Sequence, residues 1–238
     1  MKAIILAAGL GKRLGLENIP KPMYKINGKP ILEYNILLLK NHNIKDICIN
    51  LHYKGEIIKE YFGDGNKWGV KIEYSPEEKL LGTSGAVKNI EGFFDREPFF
   101  VIYGDNYTNI DLTNMLNSHH QMKPTATIAM FDPKKVPNSD IAGGVITMDE
   151  NNTITSFIEG KESKASRYVN AGVYVLESEV LGMIPKDTYS DFGNDIFPKL
   201  LRDKKLMKGY LTNSFVFAID TKEALERAKK VVNLGENK

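Results

Sequence analysis

One cysteine, Cys48, stands in the whole chain, so no disulfide can close within it. It lies in the apolar stretch Ile47–Asn50 with no base beside it, which reads as a core thiol and not a nucleophile. Long hydrophobic runs are also missing. Ala3–Ala8 and Pro98–Tyr103 fall far short of a membrane span, and charges and glycines interrupt the N-terminal run by position 11, unlike a signal peptide. Nor does one sign of charge dominate. With 32 Lys and Arg against 30 Asp and Glu, nothing suggests a polyanion-binding surface, and neither nucleic acid nor membrane is expected as a partner. No repeat, low-complexity tract or linker divides the 238 residues. This is the composition of an ordinary soluble globule with room for a sizeable core, and a cytoplasmic location is the expectation.

What is present alternates. Ala3–Ala8 is apolar without alternation, as in a strand covered on both faces. Ile31–Lys40 places Ile31, Tyr34, Leu37 and Leu38 on one helical face. Asp46–Asn50, Val70–Tyr74 and Phe99–Tyr103 then read as strands, with helices at Lys54–Phe62 and Gly82–Ile90. Such alternation predicts parallel strands. The second half is strand-rich, with Thr125–Met130, Gly144–Met148, Ile154–Ile158, Val169–Leu176 and Phe215–Ile219, and helices at Ser190–Arg202 and Lys222–Val232. It reads as a mixed sheet continuing from the parallel half, in a single domain over 1–238. His119 and His120 are adjacent and polar-flanked, which suggests a surface position. His52 follows a strand end without an evident carboxylate partner.

Three unusual loops follow strand ends, where ligands of parallel sheets bind. The first, "LAAGLGKRLGLENIPKP", bares its backbone at Gly9 and Gly11 and adds Lys12 and Arg13. Exposed N–H groups beside cations form a phosphate cradle. The second is "LLGTSG". In the third, "FFVIYGDN", Asp105 directly follows an apolar strand and Gly104 clears space, a placement suited to a hard divalent cation over phosphates or to capping a turn. A cradle, two cations and a metal-holding carboxylate on one rim are the parts of phosphoryl or nucleotidyl transfer.

In order and spacing, "LAAGLGKRL…IPKP", "LLGTSGAV", "YGDN", "FIEGK" and "VNAGVYVL" resemble the sugar-1-phosphate nucleotidylyltransferases (NDP-sugar pyrophosphorylases), from Met1 to about Ala228. The resemblance implies an α/β, Rossmann-like (GT-A-like) fold whose mixed, mainly parallel central sheet is flanked by helices. It also implies a nucleotide-binding half (1–122) and a sugar-phosphate-binding half (123–238). The substrates implied are a nucleoside triphosphate (NTP) and a sugar 1-phosphate, the cofactor is Mg²⁺ (Mg2+), and a homo-oligomer is left open. Arg13 and Lys21 are the implied catalytic residues. Leu6, Ala8, Gly9, Gly11, Lys12, Gly82 and Thr83 belong with the nucleotide. Asp105, Gly144, Glu159, Lys161, Asn170 and Gly172 belong with the sugar phosphate, and Asp105 also with the metal.

The chain departs from that pattern in three places. Gly160 separates Glu159 from Lys161, which are adjacent in the common form, so the aim of Lys161 is open. Only six residues separate Arg13 from Pro20, a trimmed loop. Where a late strand would carry a second metal-binding Asp, "FAIDTKEALERA" has Ala218, with Asp220 two residues on. Residues two apart on a strand share a face, so Asp220 either takes over the metal role or caps the following helix beside Thr221. For the base, "SPEEKLLGTSG" resembles the mannose- and heptose-1-phosphate guanylyltransferases, and a Glu77 carboxylate can accept from both N1 and N2 of guanine. The plain alternative is that Glu77 and Glu78 are solvated in a polar turn. A UTP- or dTTP-dependent enzyme, a CTP-dependent cytidylyltransferase for a small phosphorylated alcohol, and a catalytically lapsed regulatory subunit are the competing functions.

Overall fold

The computed structural model describes residues 1–9, 11, 18–139, 143–160 and 168–235. β1 (Lys2–Leu6) leads through the first loop to a short hairpin of β2 (Lys25–Ile26) and β3 (Lys29–Pro30), then to α1 (Ile31–Asn41). β4 (Asp46–Leu51), α2 (Gly55–Phe62), β5 (Lys71–Pro76), α3 (Gly82–Asn89) and β6 (Phe99–Tyr103) follow as the alternation predicts. β1 pairs in parallel with both β4 and β6, and β4 in parallel with β5. Next come β7 (Asn106–Thr108), α4 (Leu112–Met122), β8 (Ala126–Phe131), β9 (Val145–Met148), β10 (Ile154–Ile158) and β11 (Tyr168–Leu176). α5 (Phe197–Arg202), β12 (Met207–Leu211), β13 (Val216–Ala218) and α6 (Lys222–Gly235) complete the order.

The main sheet runs β10-β9-β11-β6-β1-β4-β5, with β8 on β11 and β12 on β8. β11 is the join between the halves, antiparallel to β6, β8 and β9. Its register against β8 shifts between Asn170 and Tyr174, a bulge of the kind that re-aims side chains near functional sites. Side chains alternate across the sheet. Ala3, Ile5, Ile47, Ile49, Phe100 and Ile102 join one apolar cluster, whereas Ile4, Phe99 and Val101 join another. Both faces are thus covered, which is why the strands read as continuous apolar runs. A third, smaller cluster gathers Ile26, Ile31, Tyr107, Phe217, Ile219 and Leu225 beside the first loop.

Three expectations are corrected. Phe215–Ile219 does not join the main sheet; its core, β13, pairs antiparallel with β7 in a separate ribbon. Ser190–Arg202 is not one helix. A π-turn over Phe192–Ile196 precedes α5, and Ser190 and Asp191 lie before both. His119 is wholly buried, because α4 puts Leu112, Met115 and His119 on one inward face at helical spacing. Its Nδ1 lies 2.8 Å from Thr127 Oγ1 and its Nε2 3.1 Å from Glu177 Oε1. Cys48 is a buried thiol that burial pushes up to about 12, as a core role requires. Among the described residues, no helix is long and apolar enough to cross a membrane.

Burial holds the His119 ring below the ordinary histidine value of 6.5, against the opposing pull of Glu177. The unfolded chain therefore takes up this proton first. Stability present above pH 6.5 is lost as the pH falls toward the lower folded-state value. Urea unfolding is expected to show that loss, at a slope no steeper than about 1.4 kcal/mol per pH unit. His119→Gln should flatten it relative to the wild-type chain; an unchanged slope would remove the assignment to this ring.

Candidate active site

Two neighbouring cavities open at the carboxyl ends of β1, β4 and β6. The larger, roughly 590 Å³, is lined by Gly9, Gly11, Lys21, Asp105, Gly144, Glu159, Asn170, Gly172 and Asp220, among others. The smaller, roughly 270 Å³, is lined by Leu6, Ala8, Asn50, Glu77, Gly82 and Asp191, among others. Gly9, Thr83, Tyr103, Asp105 and Tyr189 line both. Every predicted site residue within the described set therefore meets here. Lys12, Arg13 and Lys161 lie outside the described residues.

Asp105 reaches the rim because Gly104 lets two strand ends close on each other. The Gly104 N–H donates to Leu6 O at 2.8 Å, and a Cβ on Gly104 would lie 2.8 Å from that same oxygen. Asn35 of α1 holds the turn from the other side through Gly104 O at 3.2 Å. Asp220 arrives by the separate ribbon. Ala218 pairs with Asn106, and Ile219 N donates to Asp105 O at 3.0 Å, so the chain after β13 runs beside Asp105. Asp220 N then bonds back to Ala218 O at 3.0 Å, a tight turn that keeps Ala218 and Asp220 on the same cavity. Capping falls instead to Thr221, whose Oγ1 accepts from Ala224 N at 3.1 Å.

Between the two carboxylates sits the Lys21 ammonium, ion-paired to Asp105 Oδ2 and to Asp220 Oδ1. Lys21 is 7% exposed, against 26% for Asp105 and 16% for Asp220. Burial alone would depress the lysine, but the charges and hydrogen bonds of Asp105 and Asp220 outweigh it and hold Lys21 above the usual value of 10.5. It is therefore charged at neutral pH. Among the described residues, no set of three or more His, Cys, Asp or Glu gathers to hold a metal. The seat is a pair of carboxylates already clasping a cation.

Glu77 is buried, whereas Glu78 is exposed, so the solvated reading fails for the first and holds for the second. Asn50 Nδ2 donates to Glu77 Oε1 at 2.7 Å and Leu81 N to Oε2 at 3.1 Å. Asn50 Oδ1 in turn accepts from Ala7 N at 2.6 Å, tying this carboxylate to the start of the first loop. His52 finds its partner in the Glu77 carbonyl, 2.8 Å away. A carboxylate carries about four lone-pair sites, so among the described residues two directions of Glu77 are left to accept.

On the sugar side, Glu159 is seated against two bare backbones. A Cβ on Gly144 would lie 2.7 Å from its Oε2, and one on Gly193 would collide with it. Burial, then the nearby charge of Asp191, raises the Glu159 carboxyl above its ordinary value. Gly172 has φ +66°, in the left-handed region, and packs so closely on Asn106 Nδ2 and the Tyr103 ring that no other residue fits. Asn170 Oδ1 accepts from Gly172 N at 3.0 Å, and its Nδ2 donates to Tyr174 Oη at 2.8 Å.

Residues not foreseen complete the site. Asn50, Tyr103, Asn106, Tyr189, Asp191 and Gly193 escaped notice, although a polar Asn closing the apolar strand "DICINL" was a usable signal. The segment before the π-turn is stapled to the second loop. Ser84 N and Gly85 N donate to Ser190 O, Ser190 N to Leu81 O, and Thr83 N and Oγ1 to Asp191 Oδ1. Tyr189, 63% exposed, stands at the seam of both cavities.

Residues 2–217 match the nucleotidyl transferase family. A UTP–glucose-1-phosphate uridylyltransferase of Synechocystis sp. is 38% identical over 217 residues, covering 84% of this chain and 55% of that protein, so the chain spans about half of that relative's length. A D-glycero-alpha-D-manno-heptose 1-phosphate guanylyltransferase of Campylobacter jejuni is 36% identical over 206 residues, covering 84% of this chain and 88% of that protein. The crystal structure of HddC from Yersinia pseudotuberculosis complexed with GMP-PN superposes with a TM-score of 0.80 at 28% identity, covering 97% of this chain and 99% of that one.

Proposed function

The chain belongs to the nucleotidyl transferase family, and from that premise we propose that the protein joins GTP to a sugar 1-phosphate, a hexose or heptose phosphate, giving an NDP-sugar and pyrophosphate. The observation that carries this reading is the meeting of Lys21, Asp105 and Asp220 in the larger cavity, with Asp105 lining the smaller one as well. The sugar phosphate is already an anionic nucleophile, so in-line attack on the α-phosphate needs no strong base. What it needs is relief of the repulsion between two anions and stabilisation of charge on the leaving pyrophosphate. Lys21 supplies a buried positive charge there.

The residues present fit Mg²⁺. Hard carboxylate oxygens hold it in pairs, with phosphates and water completing the shell, and an all-protein cage is not required. Asp105 and Asp220 would hold it, as they hold the lysine ammonium here. Bound there, the ion would supply further positive charge against the phosphates beside Lys21. The small cavity takes the nucleoside and the large one the sugar phosphate, with Glu159 and Asn170 facing the sugar hydroxyls. The protein works in the cytoplasm.

Guanine is favoured by the free lone pairs of Glu77, which suit the N1 and N2 donors of that base. The guanylyltransferase named above and the GMP-PN complex support the same choice. Equilibrium binding of ATP, GTP, CTP and UTP with Mg²⁺ tests it. GTP is expected to bind tightest, and Glu77→Ala to lower the ratio of GTP to UTP affinity by about tenfold or more. The ratio is the informative quantity, since losing the bonds to Asn50 and Leu81 would weaken all four alike. GTP binding no tighter than UTP, or an unchanged ratio in the variant, would overturn the guanine assignment.

A further inference from the structure

Asn50, near the end of β4, lines the smaller cavity beside Glu77 although it is only 3% exposed. Its carboxamide has one orientation. Ala7 N can only donate, so it claims Oδ1 at 2.6 Å, and Nδ2 must turn to the Glu77 carboxylate. The reverse would set amide hydrogens against the Ala7 N–H and an oxygen against a carboxylate. Nδ2 carries two hydrogens, and one goes to Glu77 Oε1 at 2.7 Å. Among the described residues the other has no acceptor. A buried donor left unpaired is costly, so a ligand with an acceptor at that point is favoured.

The same bonds put the two carboxylate oxygens in order. Asn50 holds Oε1 and Leu81 N holds Oε2 at 3.1 Å, so from the Asn50 side the polar groups run donor, acceptor, acceptor. The pairing edge of guanine is the complement, with O6 an acceptor and then N1 and N2 as donors. We propose that Asn50 is a specificity-determining residue, donating its second Nδ2 hydrogen to guanine O6 while Glu77 accepts from N1 and N2. This rests on the reading of the smaller cavity as a guanine site. Adenine would set its N6 donor against Asn50 and a bare N1 against Oε1. Cytosine fails in the same two places. Uracil satisfies Asn50 through O4 and Oε1 through N3, then turns O2 against Oε2. Of the four bases, guanine alone meets all three groups.

Equilibrium binding of GTP, ITP and 6-thio-GTP with Mg²⁺, to the wild type and to Asn50→Ala, tests it. The thio analogue keeps the N1 and N2 donors and puts a weakly accepting sulfur in place of O6. ITP keeps O6 and N1 and lacks the N2 amine. The wild type is expected to bind 6-thio-GTP about three- to thirtyfold more weakly than GTP. In Asn50→Ala that difference should disappear, while the preference for GTP over ITP, which Glu77 reads, persists. If Asn50 only braces Glu77, the pattern inverts: the variant loses its preference for GTP over ITP and keeps the thio difference. That inversion, or equal binding of GTP and 6-thio-GTP by the wild type, would overturn the O6 contact and leave the guanine reading standing. The wild-type comparison needs no variant, so the test holds even where Asn50→Ala folds poorly. Failure of the guanine reading itself shows separately, as GTP bound no tighter than UTP.

Discussion

Lys21→Met is expected to cut kcat by about a hundred- to a thousandfold while leaving KM near its wild-type value, because its charge matters most where charge accumulates between incoming phosphate and leaving pyrophosphate. A rise in KM alone, with kcat unchanged, would contradict that role. The same variant has a second consequence that needs no turnover. Removing the ammonium takes away the cation that Asp105 and Asp220 share, and breaking a buried ion pair from one side is destabilising. Thermal unfolding without divalent ions should show a lower midpoint for the variant than for the wild type. Mg²⁺ should restore more stability to the variant, since a cation that binds only the folded state stabilises it by mass action. Equal responses to Mg²⁺ in the two proteins would mean that the carboxylates do not hold the metal.

Asp220 carries the second large effect. Asp220→Ala is expected to lower turnover by orders of magnitude and to raise the Mg²⁺ concentration needed for half-maximal rate. Asp105→Asn should do the same, both with folding retained. Thr221→Ala, one residue on, should behave oppositely. It removes the cap of α6 and costs about 0.5–2 kcal/mol of stability, with activity kept. The pair of neighbours separates metal binding from capping cleanly. Activity kept in Asp220→Ala and lost in Thr221→Ala would reverse the assignment.

The legible parts of this molecule were those fixed by local pattern. The unbroken apolar run marked β1 as doubly covered, the strand–helix alternation made β4 and β6 its parallel neighbours, and the carboxyl-end rule then placed Gly9, Gly82 and Asp105 on one rim. Asp220 was legible in part. The two-residue spacing from Ala218 suggested a shared face, but β13 stops at Ala218, and a tight turn with the Ile219–Asp105 bond delivers the carboxylate instead. Partners set by long-range contact were not legible. α4 is polar along most of its length, so its three inward residues gave no strong period and His119 passed as surface. β12, "MKGYL", carries a Lys and a Gly at positions where an isolated strand would show neither. The staple of Ser190 and Asp191 onto the second loop joins residues more than a hundred positions apart and leaves no spacing to read.

The most direct measurement is pyrophosphate release from ATP, GTP, CTP and UTP, each paired with a panel of sugar 1-phosphates, in Mg²⁺ and again with the metal chelated by EDTA. Fast release is predicted from GTP with a hexose or heptose 1-phosphate, falling to background in EDTA; release from no pair, or an undiminished rate without metal, would contradict a nucleotidyl transfer site built on Lys21, Asp105 and Asp220.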